Sequence, residues 1–329
     1  MVGRERQRVF RIGASKSLKM PKNLHCPFIV AIACSLLGCG GVSGNVGNGS
    51  GGASATVPQV QHVAIVVLEN ANYSDVIGTS NMPYLNSLLS KGSLAAKYYA
   101  NSHPSIPNYF MMTTGQAITN DDQFSGVVST DNVARELVAS NKSWKVYAES
   151  IPSSGYLGPD QSLYLRRHNP FSYFSDVQQN PTQTSNIVPF TQFHSDITSS
   201  SLPNSLWIIP NSIDDAHYCA DGTTTSCSLS SRLQTADQWL QNNIAPLPSS
   251  SDFQQSGLLV ITFDESADDI TNGGGHVATV LLGTHVKSGY VGNRSYDHRS
   301  LLSLSMKALG VPNIPNGADA APQMTEFSQ

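Results

Sequence analysis

An α/β fold, with a mainly parallel central sheet and helices on both faces, is what this sequence predicts. Three observations predict it. Runs rich in Val, Ile and Leu recur along the chain without polar alternation, the pattern of strands buried on both faces. Segments of helical spacing stand between them, so strand and helix alternate. Acidic and His residues collect just beyond the strand-like runs, where an open α/β sheet binds its ligand. The 329 residues are 40% hydrophobic and only 13% charged, which suits one large domain with a sizeable core.

The first segment is not part of that domain. Residues 2–25 are basic, and "PFIVAIACSLLGCGG" (27–41) is a short apolar stretch, so together they read as an export signal. A bilayer-spanning helix needs about 20 apolar residues, more than this stretch holds. Leu36, Leu37, Gly38 and Cys39 resemble a bacterial lipobox, in which the Cys becomes the lipidated first residue. A plain secretory signal is the alternative, and Met20 is an alternative start. Residues 40–56 are a Gly/Ser/Asn tether that cannot bury enough surface to fold. The expected layout is 1–39 signal with lipobox, 40–56 tether and 57–329 catalytic domain. The protein is then exported: a periplasmic or outer-membrane lipoprotein, or secreted, touching membrane only through its anchor.

The domain begins with the strand "HVAIVVLE" (62–69), followed by a turn and a helix near "MPYLNSLLSKG". In "ANSHPSIPNYFMMTTG" (100–115) two prolines hold a shaped, non-helical turn, and beyond Pro107 the run has the make-up of a helix with Gly115 as its stop. A hydroxyl just ahead of a helix N-terminus is placed where an anion would be bound and attacked. "TDNVARELVASN" reads as a helix and "SWKVYAES" (143–150) as a strand. Residues 150–200 are loop-rich and weakly patterned, a lid or an insertion. "SLWIIPN" (205–211) is a strand, "LSSRLQTADQWLQNNIAPL" a helix, and "SGLLVITFDES" (256–266) and "HVATVLLGTHV" (276–286) are strands. "RSLLSLSMKALG" closes the chain with a helix.

Charge and cysteines narrow the function classes. A formal net charge of −4 and a body without a basic cluster give no footprint for nucleic acid. Of five cysteines, Cys26, Cys34 and Cys39 fall in the leader. Cys219 and Cys227 bound the polar loop "CADGTTTSC", which a disulfide would close in an oxidising compartment; two free thiols or a metal site are the alternatives. Three strand ends deliver Glu69-Asn70, Asp214, Asp215 and His217, and Asp264-Glu265 to one rim. A shared metal ion is the simplest way to tolerate that much negative charge.

"VLENANYSDVIG", "HPSIPNYFMMTTG", "IIPNSIDDAH", "ITFDES" and "YDHRSLLSLSMKALG", in this order, resemble the bacterial and fungal phosphoesterase family of acid phosphatases and phospholipases C. That family belongs to the alkaline phosphatase superfamily, and the resemblance runs from about residue 60 to 312. It implies an alkaline phosphatase-like three-layer sandwich and metal-dependent hydrolysis of small phosphate monoesters through a phosphoserine. Carried over by position, Ser105 is the nucleophile, Glu69, Asn70, Asp215, Asp264 and Glu265 are metal ligands, and Asn108 bonds a phosphoryl oxygen. Asp215 with His217 matches the family's Asp-x-His, and His298 matches a late His at the metal or leaving-group side. The two-zinc members of the superfamily carry Asp-His where this chain has Asp264-Glu265.

The chemistry also stands on the residues. A serine hydroxyl needs a base or a metal to attack phosphorus. Carboxylates and an amide suit Mg²⁺, Ca²⁺, Mn²⁺ or iron more than a structural zinc, with zinc kept as an alternative. His103, His217 or His298 can protonate the departing alkoxide, and His103 also lies beside the substrate. The competing readings are plain. Ser105 can be a turn hydroxyl, Asn108 a helix cap, Asn70 a loop tie, and Asp214 a spectator. His276 can be a strand-edge or a site residue, while His62, His168, His194 and His285 suit surface or packing roles. The rival functions are a phospholipase C-type diesterase and a non-catalytic surface-binding lipoprotein; a sulfatase signature is absent.

Overall fold

The computed structural model describes residues 56–329; the leader, Cys39 and the tether up to residue 55 lie outside the described residues. Ten strands form there: β1 (His62–Leu68), β2 (Ser93–Ala95), β3 (Tyr98–Tyr99), β4 (Trp144–Ala148), β5 (Ile187–Pro189), β6 (Ser205–Ile209), β7 (Gly257–Phe263), β8 (Thr279–Gly283), β9 (Tyr290–Gly292) and β10 (Tyr296–Asp297). Eight make one sheet in the order β5-β4-β6-β1-β7-β8-β2-β9, and β10 pairs with β3 alone. Pairing is parallel from β5 through β7 and between β2 and β9. The sheet is mainly parallel, as the alternation of strand and helix predicts.

β8 is the exception, antiparallel to both β7 and β2. The link from β7 to β8 holds only the short turn Thr271–Gly273 and no crossover helix, so the chain returns beside the strand it has just left. Every residue of β1 and β7 is buried, which requires cover on both faces. The helices Ser105–Thr114 and His298–Ala308 pack on each other, as do Pro83–Leu88 and Leu229–Asn243.

Local sequence accounts for the helix ends. Asn132 accepts from the Arg135 N–H, Ser228 from that of Ser231, and Asp297 with Ser300 forms a reciprocal capping box. Gly115 stops its helix in the left-handed region at φ 76°. The start of that helix departs from expectation. It begins at Ser105, with Pro107 inside the first turn, so Asn108 is not its cap. Proline is tolerated there because the N–H it lacks would have no helical partner. Ser105 is therefore the first helical residue, with its hydroxyl at the helix mouth.

Residues 150–200, expected as a lid or an insertion, are woven into the body. They supply the edge strand β5, and Tyr164, Phe171, Tyr173, Phe174 and Phe193 are fully buried. Cys219 and Cys227 form a disulfide with Cα atoms 5.8 Å apart. It closes the loop that follows Asp215 and His217, and a closure of this size contributes about 2 to 3 kcal/mol.

Candidate active site

β6, β1 and β7 lie side by side and parallel, so their carboxyl ends open onto one rim. Glu69 follows β1, Asp264-Glu265 follows β7, and Asp215 follows β6 by a short turn. The Glu69 N–H donates to the Asp215 carbonyl at 2.8 Å and the Asp264 N–H to that of Leu68 at 2.9 Å, which ties the three ends together. Asn70 sits at φ 40°, a left-handed conformation Asn tolerates better than most residues. Its side chain links the rim: Nδ2 donates to Glu265 Oε1 at 2.8 Å, while Oδ1 lies 3.1 Å from His217 Nδ1. Ala216 at φ 80° tightens the turn that lets the His217 N–H donate to Asp215 Oδ1 at 2.7 Å. A non-glycine residue held there costs about 1 to 3 kcal/mol, a strain that functional sites commonly store.

The helix mouth meets this rim. Ser105 Oγ lies 3.1 Å from Glu69 Oε2 and 3.3 Å from Glu265 Oε1, and its one proton can go to either. Tyr109, one turn further along the same helix face, donates to Glu69 Oε1. That i, i+4 pair of hydroxyls is a signal of the site that the sequence carries. His103 Nδ1 lies 2.8 Å from Glu265 Oε2, and its Nε2 lies 3.0 Å from the Asp269 carbonyl.

His168 is the largest revision. Placed among the surface or packing histidines, it is buried, with Nε2 3.3 Å from Glu69 Oε1 and Nδ1 3.3 Å from Asp215 Oδ2. Glu69, His168 and Asp215 present donor atoms that all lie within 4.8 Å of one another. The residue sits in a weakly patterned segment, and only its neighbours Arg166 and Arg167, in a chain poor in charge, hinted at a site.

Other expected roles shift as well. Both ring nitrogens of His298 are engaged, Nε2 at 2.6 Å from the Asp264 carbonyl and Nδ1 at 3.1 Å from the Tyr98 hydroxyl. It holds the backbone that carries Asp264, and neither nitrogen is free to serve a leaving group. Asn108 is fully used inside its own turn. Its Oδ1 accepts from the Asn101 and Ser102 N–H groups, both at 3.1 Å, and its Nδ2 donates to the Ser102 and Pro104 carbonyls at 2.8 and 3.3 Å. It shapes the turn before Ser105 and has no hydrogen-bonding capacity left for a phosphoryl oxygen. Asp214 bonds Asn211 at 2.9 Å, outside the cluster. His276 stacks on Tyr73, with ring centroids 4.1 Å apart, and bonds the Ala96 carbonyl.

Burial dominates the electrostatics. It pushes the Glu69 carboxyl up to about 7 against the Tyr109 hydrogen bond and the Arg167 charge. Burial, then the charges of Asp264 and Glu69, push Glu265 up to about 10. Asp215 and Asp264 are held well above the usual carboxylate range by burial and by Glu69. His217 and His298 are each pushed down to about 4, mainly by burial, and His168 is pushed down by burial and then by Arg167.

This arrangement fits a divalent cation. Asp215 Oδ2, Asp264 Oδ2 and His168 Nε2 are buried without a properly aligned hydrogen-bond partner. Leaving such groups unsatisfied costs about 1 to 3 kcal/mol each. A cation would satisfy them and displace the protons the carboxyls otherwise hold. With imidazole nitrogens joining the oxygens, the donor set suits Mn²⁺, iron or Zn²⁺ as well as the harder Mg²⁺ and Ca²⁺.

The model of the phosphoesterase family matches residues 79–312. The chain is 30% identical over 272 residues to a phosphatidylinositol-3-phosphatase of Mycobacterium tuberculosis, covering 82% of this chain and 84% of that protein. It is 30% identical over 261 residues to an acid phosphatase of Aspergillus fumigatus, covering 76% of this chain but 55% of that one. It therefore spans most of the mycobacterial relative and about half of the fungal one. In fold it is similar to a Vibrio parahaemolyticus protein of the alkaline phosphatase superfamily, with TM-score 0.56, 11% identity and coverage of 84% of this chain and 70% of that one.

Proposed function

We propose that this chain, which belongs to the phosphoesterase family and is a phosphoric ester hydrolase of the acid phosphatase type, cleaves small phosphate monoesters through a phosphoserine on Ser105. One observation carries the reading: a buried serine hydroxyl at the first residue of a helix, between the Glu69 and Glu265 carboxyls at 3.1 and 3.3 Å. The phosphatase names of the relatives favour a monoester over the diester of a phospholipase C.

Glu69, Asn70, Asp215, Asp264 and Glu265 would hold a divalent cation, with His168 and His217 as nitrogen donors. When bound, it supplies charge neutralisation, a more acidic Ser105 hydroxyl and stabilisation of the phosphoryl oxygens. Ser105 passes its proton to Glu69 as the Oγ–P bond forms and the bond from phosphorus to the alcohol oxygen breaks. His103 protonates the departing alkoxide. Water then gives a proton to His103 and attacks phosphorus, the Oγ–P bond breaks, Glu69 returns the proton to Ser105, and inorganic phosphate leaves. His103 is assigned by access. His168 and His298 are buried and His217 is held between Asn70 and Glu69, whereas the His103 side chain is 31% exposed, so its Nε2 can exchange the Asp269 carbonyl for the departing oxygen while Nδ1 stays on Glu265.

The direct test is hydrolysis of nitrophenyl phosphate against nitrophenyl phosphorylcholine across pH, with and without chelator. Faster, chelator-sensitive cleavage of the monoester supports the reading; faster cleavage of the diester overturns it. His103→Gln should lose about 100-fold in kcat/KM, which reports the step that expels the alcohol, on an alkyl phosphate whose leaving group needs a proton, and less than about fivefold on nitrophenyl phosphate. Equal losses in kcat/KM on both would remove His103 from protonation of the leaving group.

Export and anchoring at Cys39 rest on the leader sequence; among the described residues no helix is long and apolar enough to cross a membrane. The tether of residues 40–56 would let the domain stand off the lipid by about 20 to 25 Å. Cys39→Ser should be released as soluble protein or stay an unprocessed precursor. A mature wild-type N-terminus without an acyl group, by mass spectrometry, would leave a simple signal peptide.

A further inference from the structure

We propose that Arg167 and the Ile106 N–H form the seat for the substrate's phosphoryl oxygens, and that the Asp122 carboxylate sits in that seat as an internal stand-in. This rests on the reading of Ser105 as nucleophile, since Ile106 is the next residue on the same helix mouth. The first N–H groups of a helix have no helical partner and favour anions. Here the Ile106 N–H donates to Asp122 Oδ1 at 3.2 Å. The other oxygen of that carboxylate, Oδ2, lies 3.9 Å from Arg167 Nε, beyond hydrogen-bond distance.

Arg167 keeps one donor unmatched while the rest of its guanidinium is held by Asp160 and Tyr218. Its side chain is only 9% exposed and is anchored at one end, where Nη1 bonds Asp160 Oδ2 at 3.0 Å. Its Nε is buried and has no hydrogen-bond partner. A buried donor left so costs about 1 to 3 kcal/mol, and a ligand that comes and goes accounts for it. The guanidinium charge reaches the nucleophile's surroundings, acting on Glu69, Asp215, His168 and His217 alike. A carboxylate offers two oxygens in a plane, and Asp122 satisfies the helix while leaving Nε unmatched. A phosphoryl group offers three oxygens around a larger centre and can meet both donors. The Asp122 side chain is 30% exposed, so it can leave toward solvent when a phosphate arrives.

The consequence is selectivity by charge. A monoester dianion brings two negative charges to a rim already rich in carboxyls, and a fixed guanidinium offsets the second; a diester monoanion gains less from it. The test uses full-length protein and two competitive inhibitors, inorganic phosphate at a pH where it is a dianion and dimethyl phosphate as a monoanion. Arg167→Gln should weaken phosphate by about tenfold or more and dimethyl phosphate by less than about threefold, with Arg167→Lys recovering part of the loss. Asp122→Asn should tighten phosphate severalfold and lower KM for nitrophenyl phosphate. Equal weakening of both inhibitors in Arg167→Gln would make Arg167 a structural residue. Unchanged or weaker phosphate inhibition in Asp122→Asn would remove the stand-in. Should Arg167→Gln fail to fold by thermal melt, the Arg167→Lys and Asp122→Asn inhibition constants decide. Near wild-type turnover by Ser105→Ala would overturn the nucleophile reading itself; loss of turnover in that variant with inhibition constants unmoved in the Arg167 and Asp122 variants overturns this inference alone.

Discussion

Ser105→Ala should lose turnover of nitrophenyl phosphate by about four orders of magnitude or more, while the fold and the bound metal survive. Only Oγ of this residue can form the bond to phosphorus at the helix mouth. Tyr109, the other hydroxyl on Glu69, is buried and its phenol is held well above its ordinary value, so it cannot substitute. The fold should be indifferent to the change. Ser105 makes no capping bond, and Ala is a good helix former at that position. Glu69 keeps the Tyr109 hydrogen bond and the rim keeps its carboxyls. Near wild-type turnover in a purified variant of normal metal content would reduce Ser105 to a helix-start residue.

Chelation should abolish activity, addition of a divalent cation should restore it, and Glu69→Ala or Asp264→Ala should bind less metal. The same electrostatics predict a readout that does not depend on activity. In the metal-free protein Glu69 moves from 4.5 unfolded to about 7 folded, and Glu265 from 4.5 to about 10. Both shifts are upward, so their contribution to stability is fully present below about pH 4.5 and is lost as pH rises through 7 and on toward 10. For Glu69 the change is on the order of 3 kcal/mol. His217 and His298, pushed down from 6.5 to about 4, act in the opposite sense between those values, so the metal-free curve is the sum of both. A cation needs unprotonated carboxyls and imidazoles, so it should raise the melting temperature more at pH 8 than at pH 5. A cation that stabilises no more at the higher pH would contradict a cation-binding rim.

Much of the site was legible because its residues follow strands. Val/Ile/Leu runs that end in Glu69-Asn70, Asp215 and Asp264-Glu265 place carboxyls at carboxyl ends, whatever the pairing order. The helix around Ser105 announced itself by its apolar content and by Gly115, and the Cys219–Cys227 loop by its spacing. His168 and Arg167 were not legible. They stand in a segment of short turns without periodicity, and nothing local says that it folds back over the rim.

By itself, then, the sequence determined the longer strands β1, β4, β6, β7 and β8, the helices around Asn108, Leu233 and Leu302, the acidic strand ends and the serine turn, because each depends on residues a few positions apart. The tertiary structure alone decided that β6, β1 and β7 stand adjacent, that β8 runs backward, and that His298 and Asn108 spend their hydrogen bonds on backbone. It also brought His168 to 3.3 Å from both Glu69 and Asp215. The physical reason is range. Hydrophobic period and capping act within a turn or a pleat, whereas the role of an imidazole, amide or guanidinium is set by whichever groups long-range packing brings within hydrogen-bond reach.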